Sequence, residues 1–416
     1  MQASERKITK FDPDVLKQAE ELASNAEILP SGHDLKIRLQ SAKEQKRPLR
    51  VKLGVDPTST DLHLGHTVVL RKLRQFQDYG HQVVIIIGGF TAQIGDPSGR
   101  DTTRPPLTSD DVQKNAITYL DQIGLVLDLK KTEITNNADW LQALSLKEII
   151  KLASSVTVSQ LLAKEAFGGR VEKQLPISFH ELFYPILQGY DSVAIKSDIE
   201  FGGTDQRFNI LQGREIQALY GQESQLAMLM PLLEGTDGDR KMSKSFGNHI
   251  ALQDTAADMF GKCMRVPDNL INKYFQLVTT LTSKEVSAIA DELKAGKNPK
   301  DAKLRLAEQI VSQYHGKLAA ELELENWDKV HSKKLLPEAS DIKRHKVETN
   351  TQLFRILAES GLSAGTAEAK RLINEGAVRF QGEIVKDPNA VLNLSSSEEN
   401  ILQIGRRKFV ALIKAK

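Results

Sequence analysis

The chain has 416 residues, 40% hydrophobic and 26% charged, with a net charge of +2, figures of an ordinary globular protein long enough for two or three domains. The single cysteine, Cys263, excludes an internal disulfide and a cysteine-built metal cluster, so a reducing compartment fits best. The near-neutral total announces no polyanion partner, although residues 341–416 carry 13 Lys/Arg against 9 Asp/Glu, a modest basic excess at one end.

The N-terminal MQASERKITKFDPDVL is polar and of mixed charge, with no apolar signal segment, and no apolar run approaches membrane-spanning length. A cytoplasmic protein without membrane contact is expected. Residues 12–26 and 36–43 pattern as short amphipathic helices leading into a strand at 49–55. A DPTSTD break follows, then a helix over 66–79 whose Val69, Leu70, Leu73 and Phe76 recur at helical spacing. Residues 83–87 (VVIII), bounded by Gly80 and Gly88, read as a strand covered on both faces. Strand, helix, strand in that order implies a right-handed crossover in a parallel sheet. The first half is therefore α/β, with a doubly wound sheet expected. Residues 255–330 are rich in Ala, Leu, Lys and Glu and read as helical. A polar, proline-containing stretch over 331–350 reads as a linker, and 351–416 as a compact unit of two helices and short strands.

Two segments carry nucleotide chemistry. PTSTDLHLGH (57–66) follows a buried strand and opens a helix, so His63 and His66, three apart, point at one phosphate-bearing pocket beside a helix N-terminus. Gly65 between them lets a base or ribose approach the backbone. Taken alone, the pair reads equally well as polar helix caps. DRKMSKSFGN (239–248) is a glycine-flanked loop whose Lys241 and Lys244 can neutralise a triphosphate, although an isolated KxxK is usually a solvated surface. The pairing and order of the two segments make chance a poor explanation. In YPILQGYDS (184–192), Tyr184, Gln188 and Asp191 share one helical face.

HLGH followed by KMSKS resembles the class I aminoacyl-tRNA synthetases. IGDPSGR (94–100), YPILQGYDS and FGGTDQRFN (201–209), in that order between the signatures, resemble the bacterial tyrosyl-tRNA synthetase family. The resemblance implies a Rossmann-like doubly wound parallel-sheet catalytic domain (1–254) and a helical domain (255–330). A linker (331–350) and a small α+β RNA-binding domain of the S4 type (351–416) complete it. It implies that His63, His66, Lys241 and Lys244 bind the ATP phosphates as the catalytic group, with Thr58 and Gly65 beside them. Gly203 and Asp205 would hold the adenosine ribose and Gln206 the tyrosine carboxylate. Asp96, Tyr184 and Gln188 would hold the ammonium, and Asp191 would accept the phenol O–H. Phenylalanine would leave that buried carboxylate unpaired, which is a physical basis for selectivity.

Lys370, Arg371, Arg379 and Lys386 would form a basic face for tRNA, joined by the GRRK run at 405–408. ATP with Mg²⁺, no protein-bound metal, tyrosine, tRNA(Tyr) and a homodimer complete the implied set. One departure stands out. Much of the family ends its first strand with YCGFDP, whereas this chain has KLGVDP and so resembles the subtype with VKxGxDP there. Lys52 replaces a tyrosine that often touches the phenol, and either pairs with Asp191 or points away. The alternative reading is an RNA-binding scaffold or splicing protein that kept the fold without ligation.

Overall fold

The chain is described here from a computed structural model covering residues 10–58, 61–97, 108–163, 165–331, 344–348, 351–394, 400–405 and 408–414. Residues 98–100 of the IGDPSGR loop, Arg406 and Arg407 of the GRRK run, and positions 332–343 of the expected linker lie outside these.

The first sheet is built from β1 (Glu27–Leu29), β2 (Arg50–Val55), β3 (Gln82–Ile87), β4 (Thr132–Asn136), β5 (Ile199–Gly203) and β6 (Leu226–Met230). Their spatial order is β1-β6-β5-β2-β3-β4; β2 to β6 run parallel, and β1 pairs antiparallel with β6. From β2 the chain builds outward through β3 and β4, then returns to lay β5 and β6 on the other side. Strand order reverses between β2 and β5, and the crevice at the carboxyl ends there is where open α/β sheets bind ligands. The expected α/β class agrees with this mainly parallel sheet. β3 is apolar throughout its core because both faces are covered, with Val83 to Ile87 no more than 5% exposed. The helix Leu64–Asp78 packs Leu70, Leu73 and Phe76 inward, the spacing expected for one buried stripe. It begins two residues earlier than predicted, which makes His63 the N-cap residue.

Helices Ala256–Cys263, Ile271–Val278, Ser283–Lys294 and Pro299–His315 follow. Chain contacts divide the protein once, into Met1–Ala320 and Glu321–Lys416. The helices expected to form a domain over 255–330 fall on both sides of that division. They belong mostly to the first unit, because Ile271–Val278 packs against Leu64–Asp78 and Arg71 donates a hydrogen bond to Gln313.

The second unit has β7 (Arg344–Val347), β8 (Val378–Phe380), β9 (Glu383–Ile384), β10 (Asn400–Ile404) and β11 (Lys408–Lys414), ordered β7-β11-β10-β8-β9. β7 runs parallel to β11 and the other pairings are antiparallel. Helices Leu353–Glu359 and Thr366–Asn374 bury Leu353, Leu357 and Ile373 with Val378 and Leu402. β7 falls inside the stretch predicted as linker; four residues reading RHKV, with only Val347 buried, give no period to detect. Among the described residues, no helix is long and apolar enough to cross a membrane.

Candidate active site

A cavity of about 1180 Å³ opens at the strand-order reversal. It is lined by Thr58, His63, Gly65, His66, Asp96, Tyr184, Gln188, Asp191, Gly203, Asp205, Gln206, Lys241 and Lys244, so every residue expected to bind ATP or the amino acid reaches it, while Lys52 does not line it. The four RNA-face candidates lie in the second unit.

At one end the two signatures are stitched together through backbone. Leu64 N–H donates to Ile250 C=O at 3.0 Å, Leu252 N–H donates to Leu62 C=O at 2.9 Å, and His63 bridges to Ala251. The chain leaving KMSKS thus forms a short ladder with the chain entering HLGH. The His63 N–H donates to His66 Nδ1 at 3.1 Å, which places the His66 hydrogen on Nε2. The imidazoles lie 3.9 Å apart, and a Cβ added to Gly65 would come within 3.0 Å of the His63 ring. A side chain at position 65 would therefore crowd that ring. Burial pushes His66 down to about 4; burial, then the neighbouring His66 and His249, push His63 down to about 2. Both are therefore neutral at pH 7, each with a ring N–H available to donate. The cations come from the other signature.

Lys241 Nζ lies 3.2 Å from Asp205, and Lys244 pairs with Asp61. The loop is knotted at Asn248, 3% exposed, which accepts from Ser243 N–H at 2.8 Å and donates to Asp237, Arg240 C=O and Lys241 C=O at 3.0–3.3 Å. Thr236 N–H further donates to Asn248 C=O at 2.9 Å.

At the other end lies Asp191, 3% exposed on the helix Tyr184–Ala194. Trp140 Nε1 donates to one oxygen at 2.8 Å and Asn137 Nδ2 to the other at 3.3 Å. Burial raises its carboxyl to about 7, opposed by Lys52 and these donors and reinforced by Glu200. Asn137 also donates to Thr91 at 3.0 Å, Thr91 to Asp56 at 2.8 Å, and Tyr184 to Asp56 at 2.9 Å. Gln206 Nε2 donates to Asp96 at 2.8 Å. The Lys52 alternatives resolve differently from both: its Nζ pairs with Glu200 at 3.1 Å, both side chains 1% exposed. Asn137, Trp140, Thr91, Asp56, Asp61, Asn248 and Glu200 were not anticipated. Only Asp56, Asp61 and Asn248 sat inside a noted motif.

In the second unit, Arg371 is held by Glu375 at 2.9 Å and Glu368 at 4.0 Å, and Arg379 donates to Gly382 C=O at 2.9 Å. Lys370 lies 4.4 Å over the Phe354 ring.

Known proteins give this geometry a context. Residues 43–332 match the model of a family described as tRNA synthetases class I (W and Y). The chain is 47% identical over 406 residues to the tyrosine–tRNA ligase of Moorella thermoacetica, covering 97% of each. It is likewise 47% identical over 395 residues to that of Carboxydothermus hydrogenoformans, covering 93% of this chain and 95% of the other. A C-terminally truncated mitochondrial tyrosyl-tRNA synthetase from Aspergillus nidulans aligns with a TM-score of 0.62 at 22% identity, over 75% of this chain and 92% of that one. The tyrosyl-tRNA synthetase of Archaeoglobus fulgidus complexed with L-tyrosine gives 0.59 at 19%, over 75% and 100%. These two likenesses speak to the fold alone. The family model, spanning well over half the sequence, and the near full-length relatives together make the chain a member of the class I tRNA synthetases (W and Y).

Proposed function

We propose that the chain is a tyrosine–tRNA ligase that forms tyrosyl-adenylate and pyrophosphate from tyrosine and ATP. It then transfers tyrosyl to the terminal ribose of tRNA(Tyr). The observation that carries the choice of amino acid is Asp191, a buried carboxylate at the far end of the cavity from the phosphate signatures. A phenol O–H adds a donor to those of Trp140 and Asn137, whereas a phenyl ring covers the carboxylate without supplying one. The curated relatives that match nearly the whole chain, each a tyrosine–tRNA ligase, support the same reading.

In the first step the tyrosine carboxylate, already an anion, attacks the α-phosphorus. A bond forms from its oxygen to phosphorus as the bond from phosphorus to the bridging oxygen breaks, and pyrophosphate leaves. No proton moves, so alignment and charge neutralisation are what the protein supplies. His63 and His66 donate N–H groups, and the opening of the helix Leu64–Asp78 adds its positive end. Lys241 and Lys244 leave Asp205 and Asp61 for the triphosphate. Thr58 assists at the γ-phosphate, Gly65 and Gly203 admit the nucleoside closely, and Asp205 holds the ribose. Asp96, Tyr184 and Gln188 take the ammonium, with Gln206 at the carboxylate.

Mg²⁺ belongs in this reading as a companion of the triphosphate, shielding its oxygens. Among the described residues no three His, Cys, Asp or Glu side chains converge as a metal site. The first unit is assigned to the Rossmann-like type and the second to the S4 type. In the latter Lys370, Arg371, Arg379 and Lys386 face the tRNA backbone, giving up their present partners to do so. A homodimer accounts for an apolar surface that is costly in a lone subunit: Leu146, Ile150, Val158 and Phe179 are each at least 61% exposed. A cytoplasmic location follows from the role in protein biosynthesis. The reading is tested by incubating the protein with ATP, Mg²⁺, labelled tyrosine and tRNA(Tyr). Label bound to tRNA through an alkali-labile ester is expected; adenylate without transfer, or neither product, rejects the ligase.

A further inference from the structure

Lys52 and Glu200 stand opposite each other in register on β2 and β5, the strands flanking the reversal of strand order. Removing two charges from water costs what their attraction only roughly offsets, and an apolar pair of similar volume would hold the strands as well. Their surroundings suggest another use. Gln188 Nε2 donates to Glu200 Oε1 at 3.0 Å, Ser192 Oγ to Oε2 at 3.2 Å, and Gln225 Nε2 to that same oxygen. Lys52 Nζ also donates to the Gln188 backbone carbonyl at 3.3 Å. The pair thus grips the helix Tyr184–Ala194 at position 188, by backbone and side chain, and again at 192 beside Asp191. Gly213 makes room for the cluster, since an added Cβ would lie 2.9 Å from Ser192 Oγ and 3.2 Å from Glu200 Oε2.

The consequence is an amide with one orientation. A carboxylate beside an ammonium offers only acceptors, so Gln188 turns Nε2 toward Glu200 and leaves Oε1 for the cavity that it lines. We propose that the Lys52–Glu200 pair is a positioning device for the amino-acid subsite, holding Gln188 so that its carbonyl oxygen meets the substrate ammonium. The proposal rests on the tyrosine reading and deepens it. Without Lys52, the buried Glu200 has lost its counter-charge and the helix its backbone tie at position 188, so the amide is no longer held in that orientation. With both charges replaced by apolar groups, the amide rotates freely.

The test compares equilibrium binding of L-tyrosine and of 3-(4-hydroxyphenyl)propanoate, which is tyrosine without its amino group. The proteins are the unaltered chain, Lys52→Met, and the double variant Lys52→Met/Glu200→Met. In both variants tyrosine is expected to bind roughly tenfold more weakly, the loss of one charged hydrogen bond, while the deamino ligand changes by less than about threefold. The double variant leaves no unpaired charge in the Lys52–Glu200 pair and so carries the test if the single one fails to fold. Equal weakening of both ligands, or tyrosine binding unchanged, overturns the proposal. An unaltered protein that does not bind tyrosine overturns the tyrosine reading instead.

Discussion

Asp191 holds an indole N–H on one oxygen and an amide N–H on the other, and burial raises its carboxyl to about 7 in the ligand-free protein. A phenol O–H donates far more strongly to the carboxylate than to the protonated acid, so tyrosine favours the charged form. Tyrosine affinity is expected to rise with pH through about 7 and level off above it, weakening toward tenfold per unit below. A titration of Kd between pH 5.5 and 8.5 checks this, and a flat profile removes Asp191 from the phenol. For the fold the sign is the same in origin. A raised pKa means that the folded protein holds the extra proton between about 4 and 7, so this group's contribution is present below about 4 and lost as pH rises through 7. His63 and His66 run opposite: their folded pKa values are depressed, so their contribution is present above about 6.5 and lost as pH falls. Asp191→Asn is expected to cost about 2 kcal/mol, a roughly 30-fold rise in the KM for tyrosine, with the KM for ATP little changed. Asp191 was legible because Tyr184 and Gln188 share its face. Trp140 and Asn137 were not: they arrive from the end of β4, and NNADW carries no period or motif that marks them.

Loop and helix are coupled by the short backbone ladder between residues 62–64 and 250–252, so the two signatures form one element in space. Their co-occurrence was legible as letters, but the ladder was not, since LHL and IAL could pair with many partners. Asn248 is the internal tie of the signature loop, its side chain hydrogen-bonded to four residues. Asn248→Ala is expected to release the loop and lower the rate of adenylate formation by about 2 kcal/mol, roughly 30-fold, while tyrosine binding stays unchanged. Pre-steady-state kinetics of adenylate formation measures both quantities, and parallel losses in rate and tyrosine affinity would point to general unfolding. Strands β1 and β7 escaped the sequence reading for a shared reason. At three and four residues, with one buried position each, they take their identity from the strand beside them.

The whole chain divides near Ala320, so four helices predicted as a domain of their own lie largely with the parallel sheet. Their composition announced helix correctly but was silent on which core they join, because burial by a neighbour leaves no mark on helical spacing. The apolar face of the helix Leu146–Ala153 belongs to this scale too. Ile150, 63% exposed, is expected at the centre of a contact between two copies, and Ile150→Glu should convert a dimer into monomers in sedimentation at micromolar concentration. A variant that sediments like the unaltered protein would place the contact elsewhere. The central claim joins both ends of the cavity in one reaction, and amino-acid-dependent exchange of labelled pyrophosphate into ATP reads that reaction directly. Tyrosine should support exchange while phenylalanine and tryptophan should not. Exchange driven by tryptophan, or none with tyrosine, would contradict the account.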